Sequence, residues 1–310
     1  MKIIFFGSDD FAARHLKALC DSKHQVLACV TQPARAKGRH LEIKPTVVKE
    51  LALQNNIQVL EPATLKDPQI IRTLRDLGAD IFVVVAYGKK LPKEIMAAPK
   101  HFCVNVHGSL LPKYRGAAPV NWAIINGEEE TGVTIFKINK TLDTGEIISQ
   151  RAVPIEKDDT ASTLRFKICQ LGAELLLETL EAVENDNYTL TRQDPSRVSH
   201  APKLTKENGV IHWEKSAAEI HNLVRGLLSW PGAYTYFNGK LLKLLETALA
   251  DIPLGEAKPG EIIEITKDSF TVATGKGSLQ IRRVHLESSK PMEAKNFLAG
   301  HKVAIGFRFE

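Results

Sequence analysis

Residues 80–109 read DIFVVVAYGKKLPKEIMAAPKHFCVNVHGS. The first eight residues are almost continuously apolar, the pattern of a strand covered on both faces at the centre of a parallel sheet. HFCVNVHGS (101–109) predicts the next strand. Working outward, KIIFFG (2–7), QVLACVTQ (25–32) and IQVLEP (57–62) predict further strands. Helices are predicted between them at DDFAARHLKALC (9–20), TVVKELALQNN (46–56) and DPQIIRTLRDLG (67–78). Phe11, His15, Leu16 and Leu19 share one helical face, and Asp67 and Gly78 supply start and stop signals. Strands alternating with helices imply βαβ units, a parallel sheet and helices on both of its sides. Ligands in such sheets bind beyond the carboxyl ends of the strands.

TGVTIFKI (131–138) and GEIISQRAVPI (145–155) read as a later strand pair, and 161–184 as a long amphipathic helix. From Asp186 to Gly209 large apolar residues are few and two prolines intervene, the composition of a linker. Beyond Val210 a short helix (216–228) precedes several short strands broken by Gly, Pro, Asn and Asp, which suggests a small β-barrel. The expected organisation is a domain at 1–189, a linker at 190–206 and a second domain at 207–310. The fold class is α/β, Rossmann-like and parallel-rich, with a C-terminal β-barrel.

The 310 residues are 44% hydrophobic and 25% charged, which excludes a disordered chain. No apolar run approaches the roughly 18 residues of a membrane span. MKIIFFGSDDF is too short and too acidic for a signal peptide and reads as a first strand. Cys20, Cys29, Cys103 and Cys169 show no CxxC pairing and are expected to be reduced core thiols in a cytoplasmic protein. Of the net charge of +5, +3 falls in residues 191–206, where Arg192, Arg197, Lys203 and Lys206 oppose Asp194. A second basic cluster, Arg35, Lys37, Arg39, Lys44 and Lys49 against Glu42, lies at 35–49. These clusters permit a polyanionic partner and fit equally well with solvated loops.

Strand alternation puts Cys103, Asn105 and His107 on one face, with Asn105 and His107 near the carboxyl end. An Asn amide is a neutral donor for a developing oxyanion, and a His accepts and returns a proton near neutral pH. The pair suits attack of an amine on an acyl group; it also fits a hydrogen-bonded polar pair at a strand end. Asp143, in KTLDTGEII (140–148), is either a turn aspartate or a carboxylate that reaches His107. Leu110, Leu111 and Pro112 form an apolar ledge on which a flat heteroaromatic donor could lie, or a packed turn. Arg115 could hold a carboxylate or phosphate, or neutralise a helix end. The first strand-to-helix turn carries one glycine, so the dinucleotide fingerprint is missing; P-loop, GxSxG and HExxH patterns are missing too. No paired cysteines point to zinc, and no metal is expected.

NVHGSLLPKYRGAAPVNWAI, TGVTIFKINKTLDTGEII, FFGSDDFAARHL and VVVAYGKKLP together resemble the methionyl-tRNA formyltransferase family. The resemblance continues through TQPARAKGR and IHWEKSAAEIHNLVRGLLSWPGAY and spans essentially the whole chain. It implies transfer of a formyl group from 10-formyltetrahydrofolate to the α-amine of methionine on charged initiator tRNA. It implies an N-terminal Rossmann-like domain, a linker and a C-terminal OB-like barrel that binds tRNA. Carried over by position, Asn105, His107 and Asp143 form the catalytic group. Ser109, Leu110, Leu111 and Pro112 contact the folate, with Val85 and Tyr87 at the neighbouring strand end. Arg39 and Lys37 meet the tRNA. Many members carry consecutive lysines after this arginine; here His40, Leu41 and Glu42 follow Arg39. A monomer without membrane association is expected. Amino-sugar or purine-precursor formylation, hydrolysis of the formyl donor, and a non-catalytic binding module are the rival readings.

Overall fold

In the computed structural model, which describes residues 1–37 and 42–309, the chain elements follow in this order. They are β1 (Lys2–Gly7), α1 (Asp10–Cys20), β2 (Gln25–Val30), β3 (Arg35–Lys37), β4 (Glu42–Lys44), α2 (Val47–Gln54), β5 (Gln58–Leu60), α3 (Pro68–Asp76) and β6 (Ile81–Val85). Then come α4 (Lys93–Met96), β7 (Cys103–His107), β8 (Arg115–Gly116), α5 (Pro119–Ile125), β9 (Glu130–Lys137), β10 (Ile147–Pro154), α6 (Ala161–Glu184) and β11 (His200–Ala201). The C-terminal part holds α7 (Ala217–Leu227), β12 (Ala233–Phe237), β13 (Lys240–Ala250), β14 (Ile262–Ile265), β15 (Phe270–Ala273), β16 (Ser278–Leu286), β17 (Met292–Glu293) and α8 (Ala294–Gly300).

Contacts divide the chain into two compact units. The first comprises 1–116, 131–154 and 165–201; the second comprises 117–130, 155–164 and 202–310.

In the first unit a seven-stranded sheet runs β10-β9-β7-β6-β1-β2-β5. The five strands from β7 to β5 are mutually parallel, and β9 joins β7 antiparallel. Every residue of β6 is buried, and β1 is buried from Ile3 to Gly7, as strands covered on both faces require. The helices start where their caps dictate. Asp9, Thr46 and Asp67 accept from the backbone N–H of Ala12, Lys49 and Gln69, each satisfying a donor that a helix start leaves free. The basic stretch read from sequence as a loop contains a short hairpin, β3 paired antiparallel with β4. Arg39 lies outside the described residues.

The second unit contains an antiparallel sheet ordered β12-β13-β16-β15-β14, with β17 on β16. Its largely aliphatic core encloses an aromatic cluster: Trp213 stacks on Phe309 at 5.8 Å, and Phe237 meets Phe297 at 5.1 Å. A Ser216–Glu219 capping box starts α7. Where the sequence suggests a small barrel, the strand pairings establish this antiparallel sheet.

Because β1, β6 and β7 run parallel, their carboxyl ends, Gly7, Val85 and His107, share one edge of the first sheet. Among the described residues no helix is long and apolar enough to cross a membrane.

Candidate active site

His107 is the last residue of β7 and Asn105 lies two residues before it, paired across the sheet with Val84 and Phe136. His107 is 6% exposed, whereas Asn105 is half-buried. The Asn105 amide has no side-chain partner among the described residues, so its two N–H donors are uncommitted.

His107 Nε2 lies 2.9 Å from the carbonyl oxygen of Tyr114. A carbonyl can only accept, so Nε2 carries the hydrogen and donates it. In the neutral ring Nδ1 is therefore the bare nitrogen, and it faces Asp143 Oδ2 at 3.9 Å. That gap is too long for a hydrogen bond, and both atoms are acceptors while the ring is neutral. A proton arriving at Nδ1 converts the pair into an ion pair in a largely dry site. Asp143 is 7% exposed.

Asp143 reaches His107 because the chain after β9 folds back. Gly145 is the contact that allows this: a Cβ there would run into the Lys137 carbonyl. Asp143 itself has φ +52°, in the left-handed region that short polar side chains tolerate best. Its carboxylate accepts from the N–H of Gly116 at 2.9 Å. Gln193 Nε2 donates to the carbonyls of Asp143 (3.0 Å) and Gly145 (2.9 Å).

The segment between the pair and the turn is held as firmly. Thr134 Oγ1 donates to the Ser109 carbonyl (2.6 Å) and accepts from the N–H of Leu111 (3.0 Å). Gln150 Nε2 donates to Thr134 Oγ1 and to the Leu111 carbonyl, both at 2.8 Å. Tyr114 sits at φ +59°, costly for a bulky residue, and its N–H donates to Ser199 Oγ at 2.9 Å.

The family model described as formyl transferase matches residues 1–180, and the one described as formyl transferase, C-terminal domain, matches 203–302. A methionyl-tRNA formyltransferase of Caldanaerobacter subterraneus is 43% identical over 307 residues, 99% of each chain. One of Acetivibrio thermocellus is 44% identical, covering 99% of this chain and 98% of that one. The chain belongs to the methionyl-tRNA formyltransferase family. Solved structures share the fold at lower identity. WlaRD, a sugar 3N-formyl transferase crystallised with dTDP and 5-N-formyl-THF, superposes with a TM-score of 0.69 at 22% identity, covering 94% of this chain and 99% of that one. HypX from Aquifex aeolicus, in complex with tetrahydrofolic acid, gives 0.63 at 18% identity over 99% of this chain and 50% of that one.

For this methionyl-tRNA formyltransferase-family chain, the residues expected to line a folate site divide by exposure. Leu110 is half-exposed. Ser109, Leu111 and Pro112 are buried, and the Ser109 hydroxyl donates to the Lys113 carbonyl at 2.7 Å, which closes the turn. Val85 is fully buried. Tyr87 packs its ring edge-on to Phe6 at 5.6 Å, and its hydroxyl has no hydrogen-bond partner among the described residues. Burial pushes that hydroxyl up to about 12. Between them Ala86 is exposed at φ +45°, so this strand end offers backbone rather than side chain to a ligand. Lys37 ends β3.

Sequence reading misses Thr134, Gln150, Gln193 and Ser199. The first two are interior polar residues of strands, and nothing in their spacing marks them. The last two fall in a stretch whose low apolar content reads as linker, and the half-burial of Gln193 and Ser199 there is visible only in three dimensions.

Proposed function

We propose that Asn105, His107 and Asp143 carry out the formyl transfer of this enzyme. The reaction moves the formyl group of 10-formyltetrahydrofolate to the α-amino group of methionyl initiator tRNA. The observation that carries the reading is the convergence of an uncommitted amide, a buried imidazole with a bare Nδ1, and a buried carboxylate 3.9 Å from that nitrogen.

The uncharged amine attacks the formyl carbon, a C–N bond forms, and the carbonyl electrons move onto oxygen. Asn105 donates to that oxyanion; one such donor is typically worth roughly 2.7–4 kcal/mol. The Nε2 hydrogen of His107 is committed to Tyr114, so this ring does not add a second donor through Nε2. The Nδ1 lone pair takes the proton that the attacking amine loses, and Asp143 attracts the imidazolium. When the tetrahedral intermediate collapses, the bond to the folate nitrogen breaks. Its electron pair takes a proton, returned by Nδ1, and tetrahydrofolate leaves.

Residues 1–189 hold the formyl donor and 207–310 bind tRNA, joined through 190–206. Ser109 to Pro112, with Val85 and Tyr87, bound the folate, chiefly through Leu110 and backbone groups. Arg39 and Lys37 meet the tRNA. The enzyme works as a cytoplasmic monomer.

The test supplies 10-formyltetrahydrofolate with charged initiator tRNA, uncharged tRNA and amino-sugar acceptors. Formate should appear only on the charged tRNA. Asn105→Ala should lower single-turnover transfer to that tRNA by about 100- to 1,000-fold, the range for loss of one oxyanion donor, with the fold retained. A variant with near-normal single-turnover rate removes Asn105 from the chemistry.

A further inference from the structure

Arg115 and Gln193 form a chain of hydrogen bonds that ends on the Asp143 turn. Arg115 donates through Nε (3.1 Å) and Nη2 (2.6 Å) to Gln193 Oε1. Gln193 Nε2 spends both of its hydrogens, one on the Asp143 carbonyl and one on the Gly145 carbonyl. The orientation of this amide is unique: a guanidinium only donates and a carbonyl only accepts, so a flipped amide would fail at every contact. The guanidinium also polarises the amide it bonds, which strengthens the two bonds on its far side.

The position of the grip matters. Gln193 holds the carbonyls on either side of Thr144, and Asp143 is the residue whose left-handed backbone aims the carboxylate at His107 Nδ1. On the other wall of the site, Ser199 binds the 112–116 loop. Its hydroxyl accepts from Tyr114 N–H (2.9 Å) and its carbonyl accepts from Arg115 N–H (2.9 Å). That loop carries the Tyr114 carbonyl which fixes the His107 tautomer. β11 then pairs with β8, His200 opposite Arg115. One segment, 193–201, therefore braces both the acid and the base of the site.

We propose that Gln193, backed by Arg115, is a positioning residue for formyl transfer: it sets the distance and angle between Asp143 and His107. This rests on the reading of Asn105, His107 and Asp143 as the reacting group. Gln193 touches no reacting atom. Its effect is exerted in the transition state, when the imidazolium forms beside the carboxylate, and not on the binding of either substrate.

The experiment compares Gln193→Glu, Gln193→Met, Asp143→Asn and the double variant Gln193→Met/Asp143→Asn in the full chain. Single-turnover rate, KM for tRNA and formyl donor, and thermal unfolding are measured on each. Gln193→Glu keeps size and the Arg115 contact but turns two donors into an acceptor facing two carbonyls. Both Gln193 single variants should lose about 10- to 100-fold in turnover, the scale expected of a misplaced catalytic group, with both KM values within about threefold. In the Asp143→Asn background Gln193→Met should cost little more, because the two act through one group. Normal turnover in Gln193→Glu, a loss confined to KM, or full additivity with Asp143→Asn overturns the proposal and leaves Gln193 as a fold anchor. Unchanged turnover in Asp143→Asn instead overturns the reading of the site. Should the Gln193 variants fail to fold, Arg115→Met removes the cation and its two bonds to Gln193 Oε1 and leaves Gln193 itself in place; it should lower turnover in the same parameter by a smaller factor, and unchanged turnover there overturns the proposal.

Discussion

His107 and Tyr114 are joined by a single hydrogen bond, from ring Nε2 to backbone carbonyl at 2.9 Å. The bond decides which nitrogen of the ring does chemistry. A carbonyl cannot be satisfied by a bare nitrogen, so the neutral ring holds its hydrogen on Nε2 and presents a lone pair at Nδ1, toward Asp143. A backbone acceptor also means that no side-chain substitution at residue 114 deletes the bond directly.

Asp143→Asn keeps the shape of the side chain, and its remaining oxygen can still accept from Gly116. It removes the negative charge 3.9 Å from Nδ1. The imidazolium formed during transfer then lacks its partner. Turnover should fall by at least about 100-fold, within the range of proton-transfer catalysis, while KM for the formyl donor stays within a few-fold. Steady-state kinetics with thermal unfolding as control checks this. Unchanged turnover would place Asp143 among ordinary turn aspartates.

Gly145→Ala tests the turn rather than the charge. A Cβ at this position collides with the Lys137 carbonyl, and backbone cannot swing aside as a long side chain can. Overpacking of this kind costs typically about 1–3 kcal/mol. The turn must open to relieve it, which carries Asp143 away from His107. Expected together are a lower unfolding temperature and a turnover loss of about tenfold or more; a fully stable, fully active variant contradicts the backbone geometry.

How far the sequence speaks for this site depends on the kind of interaction. The strands of the central sheet are legible because burial on both faces leaves unbroken apolar runs such as IFVVV at 81–85. Helix starts are legible because the caps at Asp9 and Asp67 are local, three and two residues from the N–H they bind. Asn105 and His107 share a face by strand parity alone. The contact of His107 with Asp143 spans 36 residues and no periodicity encodes it; the family resemblance supplies it. Gln193 lies further off still. It acts through backbone carbonyls, which look identical in every sequence, so neither pattern nor motif could reveal it. At 110–112 three adjacent apolar residues fit either a ledge or a packed turn by sequence alone; in three dimensions the carbonyls and N–H groups around them are tied to Thr134 and Gln150, and Leu110 stays half-exposed.

Binding of tRNA should depend steeply on salt. Arg192, Arg197, Lys203 and Lys206 are all exposed, and the 35–49 cluster adds five more cations. Each phosphate neutralised contributes a slope of about −0.9 in log K against log salt for duplex nucleic acid. Even three such contacts weaken binding about 40-fold between 50 and 200 mM salt. Fluorescence or filter-binding titrations at four salt concentrations give the slope. A flat line would mean that these cations do not face the nucleic acid.

His15 should make the enzyme acid-labile. Its ring is fully buried, Nδ1 donates to the Phe11 carbonyl at 2.7 Å, and Nε2 has no hydrogen-bond partner among the described residues. Burial pushes the imidazole down to about 4, with the Phe11 bond opposing and the Arg165 charge assisting the shift. The Cys169 thiol beside it, 3.8 Å from Nδ1, is itself pushed up to about 11 by burial and stays neutral. In the unfolded chain the imidazole titrates near 6.5. Between those two values the unfolded state holds a proton that the folded state refuses. Stability therefore falls as pH drops from about 6.5 toward 4, and the contribution is fully present above the unfolded value. From pH 7 to 4.5 this one group should remove about 2 kcal/mol. His15→Leu deletes the titrating ring at similar size. The drop in urea-unfolding free energy between those two pH values should shrink by that amount in the variant; an identical drop in both proteins would mean that His15 is protonated in the folded state or titrates alike in both.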